Sequence, residues 1–537
     1  KKARRRGEPP RPSAGPPEAS RAGREMASRG AGWLVGVIVL CVLAVYANSL
    51  FNEFVFDDFG GIDGNPTIRQ LWPLGQCSTP CAWSAGLNQQ VHTRPLLNFS
   101  FALNYALGGL QVWGYHAVNV AIHIANALLL FGILRRTLSL AVVRKKLGDA
   151  GVPLSFAVAL LWALHPLQTE SVTYVIQRAE SLVALLYLLT LYCAIRGAEP
   201  GRAAAWHAAS VIACFLGMAT KEVMVTAPVA VLAYDGIFLA GSFGLALRRR
   251  AWFYAGLALS WVLLAYLVVS TGELFKLYAE SGGSKDGYEP WTYALTQGGV
   301  ILHYLRLSFW PSPLVLDYDW PVAKGLGEAL PSLFAIGALV AATVWGVIAR
   351  KPWAFAGAWF FLILSPTSSI VPLEDLAFEH RMYLPLAAVL GVTVVMGYAG
   401  ARDVVSRYQM SPRAAVTIGV VLLVAVAAIF GALTVRRNTD YANQLSIWRD
   451  TIVHAPGKAR VNLNLGEALA RTGRYEEAIF HYRAALRRKA NYPEAHNNLG
   501  VALVALGQLE EAVGHYREAI RLSPGYAEPY NNLGFVQ

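Results

Sequence analysis

Between residues 31 and 434 the chain alternates long apolar runs with short polar connections. The first run, AGWLVGVIVLCVLAVYANSL at 31 to 50, carries no charge over about twenty residues, the length an α-helix needs to cross the hydrocarbon of a bilayer. It has no small-residue cleavage pattern at its end and reads as a retained span. Ten further runs lie near 116 to 134, 153 to 164 with its flank, 179 to 195, 203 to 219, 223 to 240, 251 to 270, 331 to 349, 353 to 371, 382 to 400 and 414 to 434, so the pattern predicts eleven crossings. Another apolar stretch, WTYALTQGGVILHYLRLSFWP at 291 to 311, reads as re-entrant or interfacial, because counting it as a crossing would put Arg350 and Lys351 outside.

From about residue 438 the pattern changes to polar and helical. NLG recurs at 464, 498 and 532, a step of 34, and the same step joins Tyr475 to Leu509, Ala478 to Ala512, Tyr482 to Tyr516 and Ala485 to Ala519. That is the period of tetratricopeptide repeats, in which paired helices stack by burying small residues against large ones. The third copy breaks off at Gln537, which reads as a fragment or an incomplete last repeat. The predicted organisation is all-α: a disordered basic tail at 1–30, a polytopic membrane bundle at 31–437 and repeats at 438–537. The tail is rich in Pro, Gly and Arg and cannot bury a core. Residue 1 is Lys and Met26 precedes the first span, so the first 25 residues read as an over-extended reading frame.

Composition agrees with the pattern. The chain is 55% hydrophobic and 15% charged, with a mean hydropathy of +0.39, the balance of a polytopic membrane protein. Its net charge of +12 is spread in short basic blocks between apolar runs, which reflects membrane topology and argues against a nucleic-acid partner. The blocks include Arg135, Arg136, Arg144, Lys145 and Lys146, then Arg248 to Arg250, Arg350 and Lys351, and Arg402, Arg407 and Arg413. By the positive-inside rule they and the N-terminus face the cytoplasm, and an odd number of crossings puts the repeats on the lumenal or periplasmic face. Cys77 and Cys81, in the first outer loop, form a candidate disulfide.

The ionisable residues separate by side. The outer ends carry Asp57 and Asp58 in NSLFNEFVFDDFGG, Arg94, His165, Glu170 and Arg178 in LHPLQTESVTYVIQR, Lys221 and Glu222 in MATKEVMVTAP, and Glu374, Asp375, Glu379, His380 and Arg381 in VPLEDLAFEHRMYLP. Charges this close to apolar runs are costly unless paired or hydrated, so a polar cavity on the outer face is predicted. Acids and bases at the lip of a bundle suit transfer of a group from a lipid phosphate. Arg381 or Lys221 would neutralise the phosphate, and a carboxylate would take the proton of an acceptor hydroxyl. Neighbouring side chains diverge, so Asp57 and Asp58 have different tasks: one the base, the other a ligand for a sugar hydroxyl or a divalent cation. Structural readings stand beside these: Lys221 and Glu222 as an ion pair between helix ends, and His165 as a helix-terminal residue.

FVFDD after the first span, HPLQTESV after the third, KE after the fifth and EHRMYLP near the tenth, followed by the repeats, resemble the transmembrane and tetratricopeptide-repeat O-mannosyltransferases. The resemblance implies a GT-C glycosyltransferase fold, a polyprenyl-phosphate mannose donor, inverting transfer to Ser or Thr, and Asp57 and Asp58 as the catalytic pair. His380 stands before Arg381 where the family pattern has Glu, and the overall style resembles bacterial relatives, implying an undecaprenyl-type donor in an inner membrane or a dolichol-type donor in the endoplasmic reticulum. The competing reading is a membrane-anchored adaptor in which the repeats bind a partner protein and the bundle only anchors them.

Overall fold

The computed structural model describes residues 19–71, 94–270, 288–369 and 371–537. Every regular element among the described residues is helical. Eight helices are long and apolar enough to cross a bilayer: Gly32–Ser49, Val112–Ser139, Val175–Gly197, Glu222–Leu239, Ala251–Ser270, Leu326–Ile348, Leu386–Arg407 and Pro412–Asp440. A ninth candidate is the pair Ala141–Leu147 and Gly151–Leu164, bent by 92°. The last two predicted runs form shorter helices, Ala203–Met218 of 16 residues and Ala354–Leu364 of 11 residues. At 1.5 Å per residue these reach about 24 and 17 Å, less than the ~30 Å hydrocarbon core. All eleven predicted runs are therefore helical, but length qualifies only eight or nine as full spans. Pro352 before Ala354–Leu364 and the SPTSS turn after it cut that helix short.

Polar side chains inside the bundle are used to lock spans together. His123 bonds the Tyr383 hydroxyl at 2.7 Å and the Ala163 carbonyl at 2.9 Å, Asn126 donates to the same hydroxyl, and the Trp162 indole donates to the Tyr383 carbonyl. Such bonds hold spans in one packing where lipid provides no hydrophobic drive between helices. On Pro412–Asp440 the outward side chains Val416, Val420, Leu422 and Val424 are exposed and apolar, as a lipid-facing surface requires.

The basic loops gather at one end of the bundle. Arg136 and Arg196 share Glu199, Arg350 donates to the Gly241 carbonyl and Arg402 to the Lys146 carbonyl. The helix Pro290–Leu307 belongs to the other end along its whole length: Tyr293 bonds the Thr367 carbonyl, Gln297 the Leu376 carbonyl, the Tyr304 hydroxyl the Phe378 amide, and Ser308, just past its end, His165. A helix touching one loop layer from start to finish lies along that layer, consistent with the interfacial reading.

The repeats follow the last span through Gln444–His454. The pairs Ala459–Arg471 with Tyr475–Arg488 and Pro493–Ala505 with Leu509–Leu522 make two repeats, and Ala527–Val536 begins a third. The recurring glycine is explained by packing: a Cβ on Gly466 would lie 2.6 Å from the Tyr482 ring, and one on Gly500 the same distance from Tyr516. At Gly534 nothing lies within 4 Å. The repeat domain is stitched to the first span, since Asn52 donates to the Asn438 carbonyl, Asn438 to Asn48, and the Glu53 amide to the Ala442 carbonyl.

Candidate active site

Asp57 and Asp58 sit on a strained turn. Phe56, the residue before them, has φ +48°, a conformation costly for a bulky side chain and held only where the surroundings over-determine it. Its ring meets Trp448 edge-on at 5.0 Å and stacks on Tyr174 at 6.5 Å. The turn sends the two carboxylates apart. Asp58 is fully buried and accepts the Val55 amide at 3.0 Å and the Ile176 amide at 2.7 Å, so it fastens this loop to the segment that begins the span Val175–Gly197. Asp57 stays half-buried. Its amide donates to the Tyr174 hydroxyl at 3.0 Å, and Tyr174, Arg460, Asp375 and Glu374 are the groups that act on its carboxyl. Burial pushes Asp57 up to about 6, against the pull of Tyr174 and Arg460. Burial also pushes Asp58 up, opposed by its two main-chain amides.

A second group forms a chain of ion pairs and hydrogen bonds. Arg94 pairs with Glu222 at 3.2 Å, and Lys221 with Glu180 at 2.6 Å. His380 Nδ1 lies 2.8 Å from Glu170, whose other oxygen accepts the His380 amide, and His380 Nε2 lies 3.7 Å from Glu180. Burial holds His380 well below its usual range, so a neutral imidazole N–H faces Glu170. Arg381 donates to the main-chain carbonyls of Asp375 at 2.7 Å, Leu376 at 3.1 Å and Thr367 at 3.3 Å. Among the described residues no carboxylate forms an ion pair with it, and Asp375 acts on its charge only at longer range. A small recess with room for about one water molecule lies here, lined by Glu180, Thr367, His380, Arg381 and apolar residues including Val183, Val223 and Ile363.

The structure thus joins Arg94, Lys221, Glu222, Glu170, His380 and Arg381 in one polar layer, while Asp57 stands apart from it, with Asp375 acting on its carboxyl only by like-charge repulsion. The partner of Lys221 is Glu180 and not its neighbour Glu222, and that pair uses up the lysine's charge. Arg178, Glu379 and His165 are committed elsewhere. Arg178 is buried and donates to Asn119, Asn104, Ser100 and the Tyr115 carbonyl. Glu379 accepts the Val315 amide and the Tyr318 hydroxyl. His165 accepts the Leu167 amide on Nδ1 and contacts the Ser308 carbonyl through Nε2, which matches its helix-terminal reading. Cys77 and Cys81 lie outside the described residues. Among the described residues no group of three or more His, Cys, Asp or Glu side chains is arranged to hold a metal ion.

Sequence reasoning missed Glu180, Tyr174, Asp317, Lys458 and Arg460. Glu180 had a signal, an acid two residues after Arg178 at the head of an apolar run. Arg460 had none, because its partner Asp317 is 143 residues away.

A tetratricopeptide-repeat family model matches residues 436–493 and 463–527. Along most of its length the chain is similar to protein O-mannosyl-transferases: TMTC1 of Homo sapiens, 27% identical, covering 86% of this chain and 55% of that protein; Tmtc3 of Drosophila melanogaster, 24% identical, covering 86% and 55%; and TMTC4 of Mus musculus, 26% identical, covering 84% and 66%. The chain spans about half to two thirds of the length of these relatives. A solved structure of ArnT from Cupriavidus metallidurans bound to undecaprenyl phosphate aligns at 17% identity with a TM-score of 0.41, covering 92% of this chain and 80% of that one. The similarity to the O-mannosyl-transferases and the repeat-family match bear out the family resemblance.

Proposed function

We propose that this chain, which resembles the transmembrane and tetratricopeptide-repeat O-mannosyltransferases over most of its length, moves mannose from a polyprenyl phosphate to Ser or Thr hydroxyls of proteins at the lumenal or periplasmic face. Asp57 is the general base. It takes the proton of the acceptor hydroxyl as the oxygen attacks the anomeric carbon from the face opposite the phosphate. The bond from that carbon to the phosphate oxygen breaks, the sugar's configuration inverts, and the polyprenyl phosphate leaves with the added negative charge. Arg381 stabilises that charge, since a cation aimed at charge that develops on the leaving group lowers the barrier. Lys221 keeps Glu180 ionised, and the Glu180, Glu170 and His380 set orients sugar hydroxyls. Asp58 holds the turn that presents Asp57.

The observation that carries this reading is the presence of a half-buried carboxylate, Asp57, together with a buried arginine, Arg381, that main-chain carbonyls hold and no carboxylate among the described residues pairs with. An adaptor needs neither. The test is transfer of radiolabelled mannose from polyprenyl-phosphate mannose to protein in membranes carrying the wild type, Asp57→Asn or Arg381→Met at matched expression. Transfer lost in both variants supports the reading. A wild type without activity toward mannose, glucose or arabinose donors would sink it and leave the adaptor, whose function would survive Asp57→Asn and fail on removal of the repeats.

A further inference from the structure

We propose that Arg460, on the first repeat, is a positioning residue for the transfer step, so that the repeat domain completes the active site and does not merely carry an acceptor. The inference rests on the transferase reading above. Arg460 Nε and Nη2 form a fork on Asp317 at 2.9 and 2.7 Å, and Nη2 also reaches Asp375 at 2.5 Å. Lys458 joins the same two acids, at 3.0 Å to Asp375. Asp317 is almost fully buried, and a buried carboxylate left without its cation is strongly unfavourable. One guanidinium therefore ties three segments together: the loop after Pro290–Leu307 through Asp317, the 371–378 loop through Asp375, and the repeats.

Both ends of the proposed chemistry hang on this clamp. The Asp375 carbonyl is the closest of the three that hold Arg381. The Arg460 guanidinium also lies 5.9 Å from the centre of the Phe56 ring, and Arg471 lies 4.6 Å from that of Phe59. Eleven residues are close to three helical turns, so Arg460 and Arg471 share one face of Ala459–Arg471 and grip the Asp57 turn on either side. Phe56 holds a left-handed conformation that needs such external support. A planar fork that spans two carboxylates while lying near an aromatic ring is a task lysine cannot perform equally. The groups facing Asp57 are Tyr174 and Arg460, which favour its ionised form, and Asp58, Asp375 and Glu374, which oppose it. Removing Arg460 therefore raises the pH at which Asp57 becomes a base.

The experiment uses the full chain, polyprenyl-phosphate mannose and a Ser/Thr peptide too short to span the repeat array. It compares the wild type with Arg460→Met, Arg460→Lys and, as control, Arg521→Ala, which breaks an exposed pair with Glu518. We expect Arg460→Met to lower kcat by about tenfold or more, to leave the donor KM within about twofold, and to move the acid limb of the rate profile to higher pH. Arg460→Lys should recover part of kcat with an acid limb near that of the wild type, and Arg521→Ala should match the wild type. If Arg460→Met does not fold, Arg460→Lys decides: an intermediate kcat supports the proposal and an unchanged one overturns it. An unshifted acid limb with unchanged kcat in Arg460→Met, or an equal loss in Arg521→Ala, also overturns it. Inactive wild type is a separate outcome that removes the transferase reading and this proposal with it.

Discussion

The Tyr174 hydroxyl accepts the main-chain N–H of Asp57 at 3.0 Å and favours the ionised form of its carboxyl. Tyr174 immediately precedes the segment whose Ile176 amide binds Asp58. One short stretch thus fixes the base and its neighbour in different ways, and the first two predictions follow from that difference.

Asp57→Asn should abolish mannose transfer without loss of fold. Burial raises the folded pKa of Asp57 above its unfolded value of 3.8, to about 6. A raised carboxyl pKa means that ionisation opposes folding, so its stabilising effect is present when protonated and lost as the pH rises through about 6. The neutral variant should melt at the same temperature as the wild type or slightly higher at pH 7. Thermal unfolding in detergent beside the transfer assay checks this, and a large fall in Tm would contradict it.

Asp58→Ala should fail through structure. It leaves the Val55 and Ile176 amides buried without an acceptor, at about 1–3 kcal/mol for each. Lower Tm and faster hydrogen exchange in residues 53 to 61 are the expected readouts. Normal exchange with lost transfer would instead give Asp58 a direct chemical role.

The rate should depend on pH in one direction at the acid side. A general base acts when deprotonated, and burial places Asp57 at about 6, so kcat/KM should rise through that pH and level off above it. A profile flat down to about pH 5 would remove Asp57 from the role.

Lys221→Met should be strongly destabilising, by about 3–5 kcal/mol, because it strands buried Glu180. Both side chains are less than a tenth exposed. Adding Glu180→Gln should restore much of the loss. Additive losses in unfolding of the two single variants and the double variant would show that the pair is not coupled.

Gly466→Ala and Gly500→Ala should each cost about 1–3 kcal/mol by overpacking, since each new Cβ would press on a buried tyrosine at 2.6 Å. Gly534→Ala, with open space around it, should be neutral. Circular dichroism melts of the three variants distinguish a packing requirement from a mere repeat signature.

The sequence by itself determined whatever depends on local period and composition. Apolar runs of about twenty residues mark helices because backbone groups in lipid must be satisfied within the segment. A 34-residue step marks the repeats because the two complete copies bury the same small residue against the same ring, as Gly466 and Gly500 do. The adjacent acids and the chain of motifs were legible for the same reason, and they carried the family resemblance. Tertiary structure decided what depends on partners distant in sequence. Only the fold shows that Asp58 is spent on two amides while Asp57 remains open, that Lys221 belongs to Glu180, that Arg178 answers neutral oxygens, and that Arg460 reaches Asp317 and Asp375. Charge pairing is set by proximity in three dimensions, and residues 83 to 143 positions apart in the chain leave no local pattern from which to read it.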